Sequence, residues 1–523
     1  MQKASILAAF LAALFASQVN AEIRKVEVTG GRVAGAAADG VVSFKGIPFA
    51  ASPVGLLRWR SPQPVEPWTG VKQAAAFAPG CMQNASFTSR FGAPPALSED
   101  CLYLNVWTPA KTAGDKLPVM VWIYGGAFAG GMTSIPTYDG THLAQKGVIA
   151  VSLAYRLGAF GFLADSELTR ENGGTSGNFG LEDMIAGLQW VKNNIAKFGG
   201  NPSRVTIFGE SAGGIAVSML CASPAAKGLF QGAISESGGN FGPARIDNGA
   251  VEGGVNMDPL KMAEASGHQF LAKLGAADIK AARELSADKI QSAVNSGRAR
   301  FWPVFDGKIL PGDQYELYEA SRFNDTPVLI GTNSDEGASF ARPGVTKASF
   351  EKQVRDGYGK KAGAILAAYP HATDEEAMQS SRDLFRDSMF AWPTWAWALL
   401  QSQKGTGKAY VYYFDHKTPR APHGSPHASE LGYVFHNLGQ RGPAPEAHDV
   451  AISDLMSTYW TNFAKNGNPN GPGLPQWPAF SESSQKVMYF DGHSGAEPAP
   501  NMTEIKAMDV YFAWRREQAK SAH

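Results

Sequence analysis

With 523 residues, 44% of them apolar and 18% charged, the chain has the composition of a globular protein with a large core, and its 58 Gly and 32 Pro exclude collagen-like or disordered character. The length admits three domains of ~100–200 residues or one large α/β domain with long insertions. Lys plus Arg balance Asp plus Glu at 47 each, and no run of like charges supplies the footprint of a nucleic-acid-binding protein.

At the start of the chain, Lys3 precedes an apolar run over residues 4–16 and the small-residue pattern Val19-Asn20-Ala21. This is the layout of a secretory signal peptide over residues 1–21. The run falls well short of the ~20 residues that cross a bilayer, and no later stretch is long and apolar enough, so no membrane span is expected. The mature chain, residues 22–523, is expected to be exported, periplasmic or secreted, where disulfides persist. Of three cysteines, Cys81 and Cys101 bracket a loop rich in Gly, Pro and Ser, whereas Cys221 sits in an apolar helical run that suits a buried thiol. Cys81 is therefore paired with Cys101, a crosslink worth roughly 3 kcal/mol for a loop of that length and structural rather than chemical.

From residue 22 to about 105, short apolar alternations broken by Gly and Pro predict antiparallel strands and loops. The period then changes. Residues 119–124 and 148–155 are nearly continuous apolar runs, the mark of strands covered on both faces. A helical pattern over 181–198 precedes a buried run at 204–208, and further strands are expected at 233–235, 327–331 and 409–414. Strands alternating with helices make a β/α series. Residues 247–296 and the tryptophan-rich stretch 390–400 fall between predicted strands, so they are expected as helical insertions over the top of the sheet. With no linker and no internal repeat, a single domain over 22–523 is expected.

Gly209-Glu210-Ser211-Ala212-Gly213 is a G-x-S-x-G. Alone it is weak evidence, because Gly is abundant here, but it follows a buried strand and opens a helical run, the setting of a nucleophile elbow. Side chains at 209 or 213 would collide with a turn tight enough to lift the Ser211 oxygen above the sheet. A serine hydroxyl needs a base to take its proton, so an acid and a histidine should follow, in that order, at the ends of later strands. The strand at 327–331 runs into Asp335 and Glu336, and spacing does not choose between them. After the strand at 409–414 come His416, His423 and His427, again undecided by spacing.

Several motifs in order, Phe44-Lys-Gly-Ile-Pro-Phe-Ala50, Glu99-Asp-Cys-Leu-Tyr-Leu-Asn-Val106, Trp122-Ile-Tyr-Gly-Gly126, Phe198-Gly-Gly-Asn-Pro202 and Val205-Thr-Ile-Phe-Gly-Glu-Ser-Ala-Gly-Gly214, resemble the type-B carboxylesterase family. This is the cholinesterase-like branch of the α/β hydrolases, and the bacterial para-nitrobenzyl esterases resemble the chain most. The resemblance runs from about residue 28 to 514. It implies an α/β-hydrolase fold, a mostly parallel twisted sheet with helices on both faces and helical insertions over the active site. It also implies a serine esterase that needs no cofactor or metal and takes a small-molecule ester. By the same resemblance the family acid falls on Glu336 and the base on His427, with Ser211 as nucleophile of an acyl-enzyme mechanism. Asp335 is then structural, Arg58 and Glu99 form an ion pair beside the disulfide loop, and Ser237 is either an aid to the acid or a plain strand-end serine.

The family's oxyanion donors fall on the amides of Gly126, Ala127 and Ala212. Ala127 stands where a third Gly is usual, and its methyl disfavours positive φ. The disulfide loop holds Phe87 and Phe91 but no Trp, so a cation-π site for choline is not expected. The aromatic stretch 301–307 resembles the family's acyl side and suggests an apolar acyl pocket. The alternative is that Phe301, Trp302 and the Trp392–Trp397 cluster only pack the core and lid. Two other functions are weighed: a lipase for longer acyl glycerides, and an adhesion module that keeps the fold but not the chemistry, which retention of Ser211, Glu336 and His427 disfavours.

Overall fold

Runs of Val, Ile and Leu with no polar alternation can be satisfied only when both faces of a strand are covered. The computed structural model, which describes residues 23–89, 96–246, 253–254, 257–297, 300–440 and 444–521, builds its centre from such runs. Eleven strands form one sheet: β1 (Ala36–Ala38), β2 (Val41–Pro48), β3 (Tyr103–Thr108), β4 (Leu117–Ile123), β5 (Ile149–Leu153), β6 (Gly200–Glu210), β7 (Gly232–Glu236), β8 (Val328–Asn333), β9 (Ala409–Phe414), β10 (Lys486–Phe490) and β11 (Gly495–Pro498). Their spatial order is β1-β2-β3-β5-β4-β6-β7-β8-β9-β10-β11. From β5 to β10 every pairing is parallel, and the flanking pairs are antiparallel. Every residue of β5, β7, β8 and β9 is buried. This is the expected mostly parallel α/β sheet, and near the N-terminus the expected short strands form a separate three-stranded sheet from Lys25–Val28, Gly31–Ala34 and Val71–Gln73.

The helical pattern at 181–198 forms α1 (Phe179–Asn194), closed by a 3-10 turn, and the run after the G-x-S-x-G forms α2 (Ala212–Ala222). The expected insertion after β7 contains α3 (Leu260–Leu274), while the signal peptide and part of 247–256 lie outside the described residues. One expectation is corrected. The tryptophan-rich stretch, α4 (Trp392–Lys404), does not cap the sheet but packs against β8 and β9. Trp392 and Trp397 are fully buried, Trp392 stacking on Phe512 at 4.1 Å and Trp397 donating its indole N–H to Tyr318 at 3.0 Å. The two rings fill the space between α4 and its neighbours, Trp392 also facing Tyr315 and Trp397 facing Phe241, a placement that apolar composition alone does not reveal.

Cys81 and Cys101 are bridged and Cys221 is free and buried, as expected. Beside the bridge, Arg58 holds Glu99 through two 2.6 Å contacts, Nε to Oε1 and Nη2 to Oε2.

Candidate active site

The parallel strands all end on one side, and there the sequence-predicted residues meet. Between β6 and α2, Ser211 adopts φ 54° and ψ −125°, its N–H donating to Glu236 O at 2.9 Å and its carbonyl accepting from Ile215 at 2.8 Å. A non-Gly residue holds such a conformation only where its surroundings fix it. Here the two glycines permit it: a Cβ on Gly213 would lie 2.0 Å from Ile123 O, and one on Gly209 would lie 2.6 Å from Gly213 C.

β8 runs directly into Glu336, which is fully buried. Its Oε1 accepts the Asn333 N–H at 2.7 Å and the Ser237 hydroxyl, and its Oε2 lies 2.5 Å from His427 Nδ1. Ser237, left open by the sequence, thus binds the acid directly from the end of β7. The loop carrying His427 is pinned to the β8 loop by Asp335 N to Ser425 O at 2.9 Å and by Asn333 Nδ2 to Pro426 O at 2.9 Å. Phe390 stacks on the imidazole at 4.7 Å and Phe340 tilts against it at 5.1 Å.

The other candidates are occupied elsewhere. Asp335 pairs with Arg382, its Oδ1 3.0 Å from Nε. His416 is buried with Nε2 2.7 Å from Asp449 Oδ1, an oxygen that also accepts the Tyr433 hydroxyl at 2.9 Å, and His423 is exposed. Ser211 and His427 face one cavity of about 1120 Å³. Among the described residues no hydrogen bond joins Ser211 Oγ to the imidazole, whose Nε2 lies 3.1 Å from Glu210 Oε1.

Gly126, Ala127 and Ala212 line the same region: Gly126 and Ala127 border the cavity, and Ala212 is the first residue of α2, where an N–H has no partner within the helix. Gly126 has φ 113°, where a Cβ would meet Gly130 O at 2.2 Å. Ala127 and Phe128 both have φ 55°, so the methyl of Ala127 does not prevent the left-handed turn but costs roughly 1–2 kcal/mol.

Sequence reasoning missed a set of acids behind the site. Glu210, Glu236 and Glu430 are all buried. Burial pushes Glu210 up to about 7, with Glu336 adding to the rise and His427 opposing it. Burial likewise pushes Glu430 up to about 8, with Glu210 and Glu336 adding, and raises Glu236 well above the usual carboxylate range, with Glu430 adding. Burial alone would lower His427, but the carboxylates of Glu210 and Glu336 overcome it and push the imidazole up to about 9. Glu210 stands inside the G-x-S-x-G, and an acid in an otherwise apolar strand end was the available signal.

The acyl-pocket expectation is corrected. Residues 301–305 do not border the cavity that holds Ser211. Phe301 packs edge-on against Phe270 at 4.9 Å and Trp302 against Phe128 at 4.8 Å, so they act as packing. Phe87, Tyr138, Phe340 and Leu431 supply apolar wall instead, and Phe91 lies outside the described residues.

Comparison with known proteins agrees with this architecture. The model of the Carboxylesterase family matches residues 22–508. The chain is 35% identical over 502 residues to the fumonisin B1 esterase of Sphingopyxis macrogoltabida, covering 91% of this chain and 88% of that protein. It is 37% identical over 488 residues to the para-nitrobenzyl esterase of Bacillus subtilis, covering 90% and 95%. A solved PNB esterase structure superposes with a TM-score of 0.79 at 34% identity, covering 93% of this chain and 99% of that one. A mostly parallel sheet with this ending, matched along its length to esterases, has the α/β-hydrolase fold, and the chain belongs to the carboxylesterase family and is a carboxylic ester hydrolase.

Proposed function

We propose that Ser211, His427 and Glu336 carry out the hydrolysis as a nucleophile, a general base and an orienting acid. The observation that carries this reading is the chain of contacts Ser237–Glu336–His427 ending at the cavity bordered by Ser211. Glu336 bound at Nδ1 fixes the imidazole tautomer, leaving Nε2 to accept a proton. Ser211 Oγ attacks the ester carbonyl carbon as its proton passes to His427 Nε2. The carbonyl electron pair moves onto oxygen, where the amides of Gly126, Ala127 and Ala212 hold it. Collapse breaks the bond to the alkoxide, which leaves with the proton from His427. Water then repeats the sequence on the acyl-Ser211 ester, releasing the acid. The Ser211–His427 hydrogen bond closes as substrate fills the site, since such contacts tighten in the reacting complex.

A cavity of about 1120 Å³ exceeds the usual range for small-ligand sites, which favours esters with bulky acyl or alcohol groups. Export of the mature chain from residue 22 is the setting in which the Cys81–Cys101 bridge would persist, and intact-mass measurement of the secreted fraction tests it. The test of the mechanism is Ser211→Ala with fluorophosphonate labelling. The wild type takes one label, on Ser211, and the variant loses hydrolysis while unfolding at the same temperature. Labelling of another serine, or retained turnover, overturns the assignment.

A further inference from the structure

The amide-bearing turn at 125–131 does not hold itself in shape. It contains consecutive non-glycine residues in the left-handed region, Ala127 and Phe128, a conformation that persists only where neighbours over-determine it. Its internal ties are two 3.0 Å bonds to Gly126 O, from the amides of Ala129 and Gly130. In its middle, the Phe128 carbonyl accepts the Gly158 N–H at 2.7 Å and the Phe128 ring packs against Phe162 at 5.2 Å and Trp302 at 4.8 Å, while its two ends are met by the loop closed by Cys81–Cys101.

Gln83, two residues beyond the bridge, is 2% exposed and spends its whole amide on this connection. Its Oε1 accepts the Gly131 N–H at 2.8 Å, and its Nε2 donates to Gly131 O at 2.8 Å and to Cys81 O at 3.0 Å. Gly131 in turn packs so closely on the start of the turn that a Cβ there would lie 2.5 Å from Gly125 O. The Phe87 ring covers the other side. A Cβ on Gly130 would lie 2.7 Å from Phe87 Cδ1, and one on Gly126 would lie 3.2 Å from Phe87 Cζ. Two side chains of one loop therefore grip both ends of the turn.

We propose that Gln83 and Phe87 are positioning residues for the oxyanion donors, so that the disulfide-closed loop sets the rate of acyl transfer as well as the stability of the fold. This rests on the reading that Ser211 is the nucleophile and that Gly126 and Ala127 are donors. The turn meets the oxyanion rather than the resting carbonyl, so a displaced turn loses transition-state binding and leaves substrate binding nearly intact.

The experiment compares wild type, Gln83→Ala, Phe87→Ala, Ala127→Gly and the Gln83→Ala/Ala127→Gly pair, using p-nitrophenyl acetate and a trifluoromethyl ketone as the oxyanion mimic. Gln83→Ala should lower kcat about 10- to 100-fold with KM changed less than about threefold, and weaken the ketone by the same factor as kcat/KM. Phe87→Ala, at a half-buried position that tolerates truncation, should lower kcat about 3- to 10-fold and serves if Gln83→Ala does not fold. Ala127→Gly relieves the backbone strain, so it should recover part of the Gln83→Ala loss, a coupling that a merely structural role would not produce. If the ketone forms no hemiketal on Ser211 of the wild type, the nucleophile reading fails and this proposal falls with it. If the hemiketal forms but kcat and ketone affinity in the folded variants stay within twofold of wild type, the positioning role alone is refuted.

Discussion

Glu210 lies 3.1 Å from the imidazole nitrogen that must accept the serine proton, which makes Glu210→Gln the most informative perturbation of the base. Hydrolysis requires a neutral imidazole, so the rate rises with pH through the His427 midpoint, which the carboxylates of Glu210 and Glu336 push up to about 9. At 3.1 Å and an effective dielectric constant of about 20, two full charges attract by about 5 kcal/mol, equivalent to about 4 pH units. Glu210, itself pushed up to about 7, is ionised across that limb, but burial of the imidazole opposes the attraction and Glu336 shares the rise, so only part of it appears in the net shift. The neutral amide should therefore move the acidic limb of kcat/KM down by about 1–2 units, toward the ~6.5 of a free imidazole. A pH profile from 5 to about 10 on p-nitrophenyl acetate reads the shift. A limb that stays within about 0.3 unit of wild type, in a folded variant, would refute the electrostatic account of His427.

Three further outcomes follow from the geometry. Gly213→Ala places a methyl 2.0 Å from Ile123 O, so it should cost about 3 kcal/mol or more and appear mainly as aggregated protein, whereas Gly363→Ala, in open space within a helix, should remain soluble. Glu430, raised to about 8 by burial, holds its proton more tightly folded than unfolded, so its contribution to stability is fully present below the ordinary carboxyl value and is lost as pH rises to about 8. Glu430→Gln should flatten that fall in thermal unfolding between pH 5 and 9. Asp335→Asn breaks the pair with Arg382 and should lower stability by about 2–3 kcal/mol while changing kcat less than about threefold, in contrast to a large kcat loss for Glu336→Gln.

The elbow was legible because its demands are local: a buried strand, a helix and two positions where any side chain collides. The acid and base were legible only as short lists. Spacing brought Asp335 and Glu336 to one strand end, and it took the position of Arg382 on another helix to show which carboxylate is engaged. His416 and His427 follow the same strand, and the separating fact is Asp449, far along the chain. For these, family resemblance supplied what periodicity could not. The role of the 301–305 aromatics was not legible, since an apolar ring suits a pocket wall and a packed core equally. Nor were Glu236 and Glu430, because a buried carboxyl violates the pattern that sequence reading relies on.

The strand order has a consequence for when the enzyme becomes active during its own synthesis. β6 lies between β4 and β7, so the strained serine turn can form once the first half of the chain has folded. The histidine cannot be in place then. It is 91 residues beyond Glu336 and is seated only after β9 has paired with β8 and the following loop has docked on Asn333 and Ser334. Closing loops of this length before parallel pairing rewards them is slow. A chain that folds from its N-terminal end therefore forms its proposed nucleophile before its base, and turnover begins with the seating of the His427 loop on the end of β8.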